Sequence, residues 1–290
     1  MTEYGRYVDE RTGRSLRVTA DLDRLAADWA ALSPDDAQPM RDLVKLAREL
    51  IGSPLLNMGM GDPPELAGRF GALAQLWEMR GAMRYLFGKA AVSLDARARE
   101  IRDPWLREVY RNLFLPEVPA WFVGMLLALL ASGEMGLLCE GSPGFVRDIE
   151  GCYRALGGEI TFDATVDEIL VEGARAVGVR LADGSTHRGG AVVAAGDGRR
   201  TLFGMLGGRY LDRKTRERYD TWRLIQPTVM ISYGVAREFP AASYSTTFSL
   251  TEPIRVGREQ IAALLLRVFN HSPAFAPAGK TVIQASFESE

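Results

Sequence analysis

The stretch AVVAAGDGRRTLFGML at 191–206 makes the best case for chemistry, because Gly196 and Gly198 have the spacing that opens a dinucleotide-binding turn. In such a turn, glycines let backbone N–H groups approach a pyrophosphate, with a strand before them and a helix N-terminus after. The composition here suits a strand followed by a helix. The pattern departs at its third position, where Thr201 stands in place of the Gly or Ala that lets helix and strand pack closely. No later strand ends in an acid that could grip a ribose, and the preceding strand closes an antiparallel run instead of opening a βαβ unit. A strand-to-helix turn is therefore expected, without a phosphate cradle.

Other clusters carry less. Gly59-Met60-Gly61-Asp62 runs into two prolines, which leaves no helix N-terminus to receive a phosphate. Glu140-Gly141-Ser142-Pro143-Gly144 lacks the lysine of a P-loop and reads as a tight turn into a helix at Phe145. His187 and His271 are the only histidines and lie far apart, which excludes a multi-histidine metal site and gives a Ser-His pair little to work with. Cys139 and Cys152 are the only cysteines; they fit no disulfide framework and read as buried free thiols in a reducing cytoplasm. Asp35 and Asp36 are explained by a helix start. No catalytic side chain is assigned, and no metal.

The elements that would position these residues follow from periodicity. RYVDE and SLRVT flank Thr12-Gly13 as a hairpin. Leu22, Leu25, Ala26 and Trp29 share one helical face. Ser33-Pro34-Asp35-Asp36 then marks a second helix, with Ser33 as cap, running to about Ile51. Residues 52–64 read as a loop, 65–90 as helix, and Asp103-Pro104 as cap and first residue of another helix. A helix from Phe145 to Leu156 stops at Gly157-Gly158. After it, EITFD, VDEILVE, RAVGVRLA and GAVVAA form short strands with turns at Glu172-Gly173 and Asp183-Gly184. PTVMISYGVA, IAALLLRVFN and KTVIQASFE have strand composition, and the mixed charges of 210–220 read as a solvated helix.

The apolar run at 118–131 contains Pro119 and Gly124 and is shorter than the roughly 20 residues that span a bilayer. Its Trp121, Phe122, Met125, Leu126 and Leu129 could line a tunnel for an apolar substrate or dip into a membrane surface, and core packing is the favoured alternative. Trp77, Tyr85, Trp105 and Tyr233 are aromatic candidates of the same kind. A net charge of -2 gives no surplus of cations for phosphate backbones, so nucleic acid is not an expected partner.

Residues 141–206 resemble the middle of phytoene desaturase and carotenoid isomerase-like FAD enzymes, in the amine oxidase superfamily. The ordered features are Gly141 and Gly144, Gly157-Gly158, Val166 to Ile169, Gly178-Val179, Asp183-Gly184 and Val192-Val193. Ser33-Pro34-Asp35-Asp36 resembles the family's helix start, and Ala276-Pro277-Ala278-Gly279-Lys280 its turn before a strand. The resemblance implies a flavoprotein oxidoreductase that desaturates, isomerises or otherwise oxidises a long carotenoid- or isoprenoid-like substrate, with hydride passing to FAD. It places the backbone of Val166 against adenine and Ala194, Ala195 and Gly196 near the same cofactor. Trp121, Phe122, Met125 and Tyr233 are then the substrate-facing candidates.

The family's opening Gly-x-Gly-x-x-Gly unit and its closing flavin segment have no counterpart in this text. The expectation is accordingly a central fragment, inactive and weak in FAD binding unless a complementary polypeptide supplies those segments. The expected architecture is α+β, an incomplete FAD/NAD(P)-binding-type domain with a large helical substrate domain. Residues 1–138 form the helical block with its hairpin, 139–206 the flavin-side helix and meander, and 207–290 a mixed-sheet segment. The rival reading is a cofactor-free module that binds a lipid, an isoprenoid or a partner. Location is expected to be cytoplasmic, with peripheral membrane contact as an option.

Overall fold

The computed structural model describes residues 1–53, 85, 87–222, 224 and 227–288. Most of the loop expected at 52–64, the glycine turn at 59–62, Trp77 and most of the helix expected at 65–90 lie outside the described residues. The chain divides into two compact units, Met1–Phe145 with Pro227–Glu290 and Val146–Gln226.

In the first unit, the hairpin forms as β1 (Glu3–Asp9) and β2 (Ser15–Thr19), joined through Gly13 at φ 71. Asp9 secures the turn by accepting from the Arg11 amide and the Thr12 hydroxyl. α1 (Leu22–Leu32) is capped by Asp21, which accepts from the Arg24 amide, and buries Leu22, Leu25 and Trp29 as its periodicity requires. A short 3-10 turn, Pro34–Asp36, leads into α2 (Ala37–Leu50).

Ser33 does not cap this helix as the sequence suggests. Its hydroxyl donates instead to the Asp36 carboxylate at 2.9 Å. Asp36 is only 2% exposed and also accepts from the amides of Arg102 (2.7 Å) and Asp103 (2.9 Å). The acid thus ties the start of α2 to a loop more than 60 residues away. α3 (Leu94–Ala98), α4 (Pro104–Arg111) and α5 (Ala120–Ala131) follow, with Asp103 capping α4 as expected. α5 packs on α2 so closely that a Cβ on Gly124 would lie 2.9 Å from Leu46.

The strands after residue 227 join the hairpin. β6 (Thr228–Val235), β7 (Ser245–Val256), β8 (Glu259–Val268) and β9 (Thr281–Glu288) complete a six-stranded sheet in the order β2-β1-β7-β8-β9-β6. β1 and β7 run parallel and the other pairs antiparallel, so the sheet is mixed. β7 was not expected from the sequence. The turn at Gly279, φ 75, precedes β9 as read. The principal core joins Leu16 and Val18 of the hairpin to Leu25 and Trp29 of α1, Met40 and Leu43 of α2, and Leu106 and Tyr110 of α4.

The second unit carries most of α6 (Gly141–Ala155), then β3 (Val166–Glu172), β4 (Arg175–Leu181), β5 (Thr186–Arg188), a π-helical turn at Arg200–Met205, and α7 (Arg213–Thr221). α6 starts at Gly141, so Gly-Ser-Pro-Gly is its first turn and not a turn ahead of Phe145. Its stop is as read: Gly157 has φ 88, and the Gly158 amide returns to the Tyr153 carbonyl. α7, capped by Asp212, is the solvated helix that the charges at 210–220 suggest. Among the described residues no helix is long and apolar enough to cross a membrane.

Candidate functional site

The meander β3-β4-β5 is the frame for the cofactor candidates. Its turns are the expected ones, with Gly173 at φ 63 and Gly184 at φ 88. Asp183 reinforces the second by accepting from the Ser185 hydroxyl and amide, contacts that hold its pKa below the ordinary carboxylate value. Val166 opens β3 opposite Leu181, and Ile169, opposite Val179, is 5% exposed. β3 is an edge strand, so the backbone groups of Val166 to Glu172 that face away from β4 have no strand partner among the described residues.

Gly178 is where the meander tolerates least. A Cβ there would sit 2.2 Å from the His187 carbonyl oxygen on β5 and 3.0 Å from the Arg188 Cα, both backbone atoms that cannot turn aside. The φ of 154 adds strain for any L side chain. Gly178→Ala should cost the second unit about 3 kcal/mol through forced overpacking. Amide exchange at Ile169 and Val179 should rise with it, and unchanged protection there would show that the close approach is not held in solution.

Ala194, Ala195 and Gly196 lie elsewhere. Neither 190–195 nor 159–163 forms the strand expected of it. Both segments have strand composition, but a strand exists only where a neighbour pairs with it, and neither has one among the described residues. Ala194, Ala195 and Gly196 are exposed, so the structure gathers the four cofactor candidates in one unit but not in one sheet.

The Gly-x-Gly turn can also be judged directly. Asp197 accepts from the Arg200 amide at 2.6 Å and so occupies, with a negative charge, the position a phosphate would need. The Thr201 hydroxyl turns back to the Asp197 carbonyl at 2.8 Å. A Cβ on Gly198 would meet the Tyr219 hydroxyl at 2.4 Å, so a side chain of the protein fills that space. The chain's own Asp197 and Tyr219 thus take up the space around this turn.

One feature was missed at the level of sequence. Phe145, Val146, Ile149, Tyr153 and Leu156 recur at the three- and four-residue spacing of a single helical face, the signature of a buried stripe. All five are exposed, Leu156 at 83%, and so are Phe162 (67%) and Val193 (89%) from the two unpaired strand-like segments. Apolar side chains left exposed along one helical face mark a place where something else packs. The arithmetic of i, i+4, i+8 from Phe145 would have found it. Cys139 and Cys152 are likewise exposed, not buried as expected.

The substrate candidates belong to the first unit. Trp121 and Met125 of α5 are half-buried and pack on a small cluster of Leu50, Tyr85 and Ala128. Phe122 stacks against Phe114 with ring centroids 5.1 Å apart. Tyr233 is on a different element, the edge strand β6, at 55% exposure with Met230 (59%) and Ile231 (41%). Trp105 is in the core, with the Arg14 guanidinium over its ring. His271 sits among Tyr244, Phe269 and Phe275.

No protein-family model matches the chain. It is similar to a phytoene desaturase (lycopene-forming) of Paracoccus sp., at 26% identity over 201 residues, covering 67% of this chain and 38% of that protein. Its fold is similar to that of an oxidoreductase from Methanosarcina mazei, with a TM-score of 0.54 at 20% identity, covering 75% of this chain and 51% of the other. A Rab GDI from Plasmodium falciparum gives a TM-score of 0.48 at 10% identity, across 100% of this chain and 60% of that one. The chain therefore spans well under half the length of the curated relative and about half of the solved oxidoreductase.

Proposed function

We propose that the chain is the adenine-facing and substrate-facing part of an FAD-dependent oxidoreductase that desaturates or isomerises a long apolar substrate of carotenoid or isoprenoid type. Its likeness to the Paracoccus phytoene desaturase supports the reaction class. The observation that carries the reading is the exposed apolar stripe on α6 together with two strand-like segments of the second unit that lack strand partners among the described residues. A nucleotide-binding layer would cover the stripe and pair with residues 159–163 and 190–195. That layer would come from a longer form of this chain or from a complementary polypeptide.

The residues present fit half of the cofactor. The open edge of β3 offers the Val166 backbone to adenine, whereas Asp197 and Tyr219 exclude phosphates from the Gly196 turn. FAD, when bound, supplies the hydride-accepting chemistry. This chain's part is to orient adenine, through Val166 with Ala194, Ala195 and Gly196 nearby, and to wall an apolar substrate with Trp121, Phe122, Met125 and Tyr233. No side chain is asked to take a proton.

Flavin retention tests the reading. The chain alone, desalted after excess FAD, should stay nearly colourless. With a polypeptide carrying the strand, Gly-x-Gly-x-x-Gly turn and helix of a phytoene desaturase, it should retain one flavin per complex with its visible absorption band. A stoichiometric yellow complex of the chain alone would show that the phosphate grip lies within it. No flavin in either mixture would sink the oxidoreductase reading and leave the cofactor-free lipid-binding module.

A further inference from the structure

A cavity of about 300 Å³ lies in the first unit, among α2, α3, α4, the start of α5 and the 3-10 turn Lys89–Ala91; Tyr85 also lines it, and the residues assigned above to the cofactor do not. One wall is apolar, made by Leu43 and Leu46 of α2 with Ala90 and Ala120. The opposite wall contains Arg97 and Tyr110. Tyr110 has no exposed surface, and with the Arg97 guanidinium beside the phenol as a donor, neither the hydroxyl nor the Arg97 Nε has an acceptor for its hydrogen among the described residues.

Both of these atoms carry protons to donate. Burial pushes the Tyr110 phenol up to about 12, against the downward pull of the Arg97 charge and of its hydrogen bond to the phenol oxygen, so it keeps its proton at neutral pH. A buried donor without an acceptor costs about 1–3 kcal/mol, and two donors lining one cavity call for an acceptor oxygen. The surrounding charge selects the kind of oxygen. Among the described residues, Arg97, Lys45 and Lys89 line the cavity against two carboxylates, Asp42 and Glu49. Asp42 is already paired with Arg97 at 3.0 Å, and Glu49 accepts from the Tyr85 hydroxyl at 3.1 Å. The surplus is positive.

We propose that this cavity binds a small amphiphile, an oxyanion of carboxylate or phosphate type on a short apolar body. The oxyanion accepts from the Tyr110 hydroxyl and Arg97 Nε, and its apolar body rests on Leu43, Leu46, Ala90 and Ala120. The volume, at the small end of ligand sites, limits the body to a short chain. Nothing in this inference depends on the flavoenzyme reading, and either can fail alone.

Calorimetric titration of the full chain with hexyl phosphate, hexanoate, hexanol and hexylammonium decides it. At least one of the two oxyanions should bind about ten-fold or more tightly than hexanol or hexylammonium, the difference expected of a charge-assisted hydrogen bond. Tyr110→Phe should weaken that binding by about ten-fold while leaving the melting temperature unchanged or higher, since it removes a buried hydroxyl whose hydrogen has no acceptor, without changing the ring. Lys89→Ala should weaken it less. The proposal is overturned if hexanol binds as well as both oxyanions, or if none of the four binds. It also fails if Tyr110→Phe lowers the melting temperature without moving the affinity, which would make the hydroxyl a structural group.

Discussion

Asp36→Ala is expected to destabilise the first unit by about 3–5 kcal/mol, the loss typical when one member of a buried charged network is deleted. The carboxylate accepts from the Arg102 and Asp103 amides and the Ser33 hydroxyl, and alanine leaves both part-buried amides without this acceptor. The damage spreads because Asp103 is itself the cap of α4 and the partner of Arg14 at 2.7 Å. Asp36→Asn keeps the shape and one carbonyl oxygen, so its cost should fall to about 1–3 kcal/mol. Chemical denaturation of the three proteins measures the difference, and an Asp36→Ala variant within about 0.5 kcal/mol of the parent would refute the role given to this acid.

The same network fixes a pH dependence. Burial by itself would raise the pKa of Asp36, but the two amides and the Ser33 hydroxyl outweigh it and hold the group below the ordinary carboxylate value. Asp103 is lowered too: burial raises it, and the Arg14 guanidinium together with the Leu106 and Trp105 amides outweighs that. A lowered folded pKa means that the stabilisation is complete above the unfolded value of about 3.9 and is lost as pH falls through the folded value. Asp36→Asn should therefore flatten the decline of stability below about pH 4 while lowering the plateau above it.

What the sequence made legible, and what it did not, divides along one physical line. Features set by local chemistry were readable: glycines 13, 157, 173, 184 and 279 at positive φ, Asp103 as a cap, and the stripe of Leu22, Leu25 and Trp29. Features set by distant partners were not. β7 contains Pro253 near an irregularity between Ser249 and Ile254, which hides a strand from pattern reading. Its parallel neighbour β1 lies some 240 residues earlier. Ser33 looked like a cap because no local rule reveals that Asp36 reaches across to residues 102 and 103. The π-helical turn at Arg200–Met205 has no composition of its own. At the candidate site, the two tight turns of the meander at Gly173 and Gly184 were legible, but the absence of strands at 159–163 and 190–195 was not, because strand composition is local and pairing is not. Arg97 and Tyr110 carried no motif, since only the packing of α2, α3 and α4 brings them to one cavity.

Ile149→Arg should separate folding from assembly. Ile149 is 53% exposed in the middle of the α6 stripe, so the substitution removes little buried surface and should change the stability of the chain alone by no more than about 0.5 kcal/mol. If the stripe is where a nucleotide-binding layer docks, the same arginine would enter the centre of an apolar interface. Charges there are costly, and a central residue typically carries 2 kcal/mol or more, or about 30-fold in affinity. Flavin retention by the mixture with the complementary unit should fall with it, while the far melting transition of the chain does not move. Leu156→Ser, at the end of the stripe and 83% exposed, should have a smaller effect of the same sign. The outcome to look for against this reading is an Ile149→Arg chain that assembles and retains flavin as the parent does, because docking would then occur elsewhere. A variant that no longer folds alone would equally refute it, by showing that α6 already buries this face.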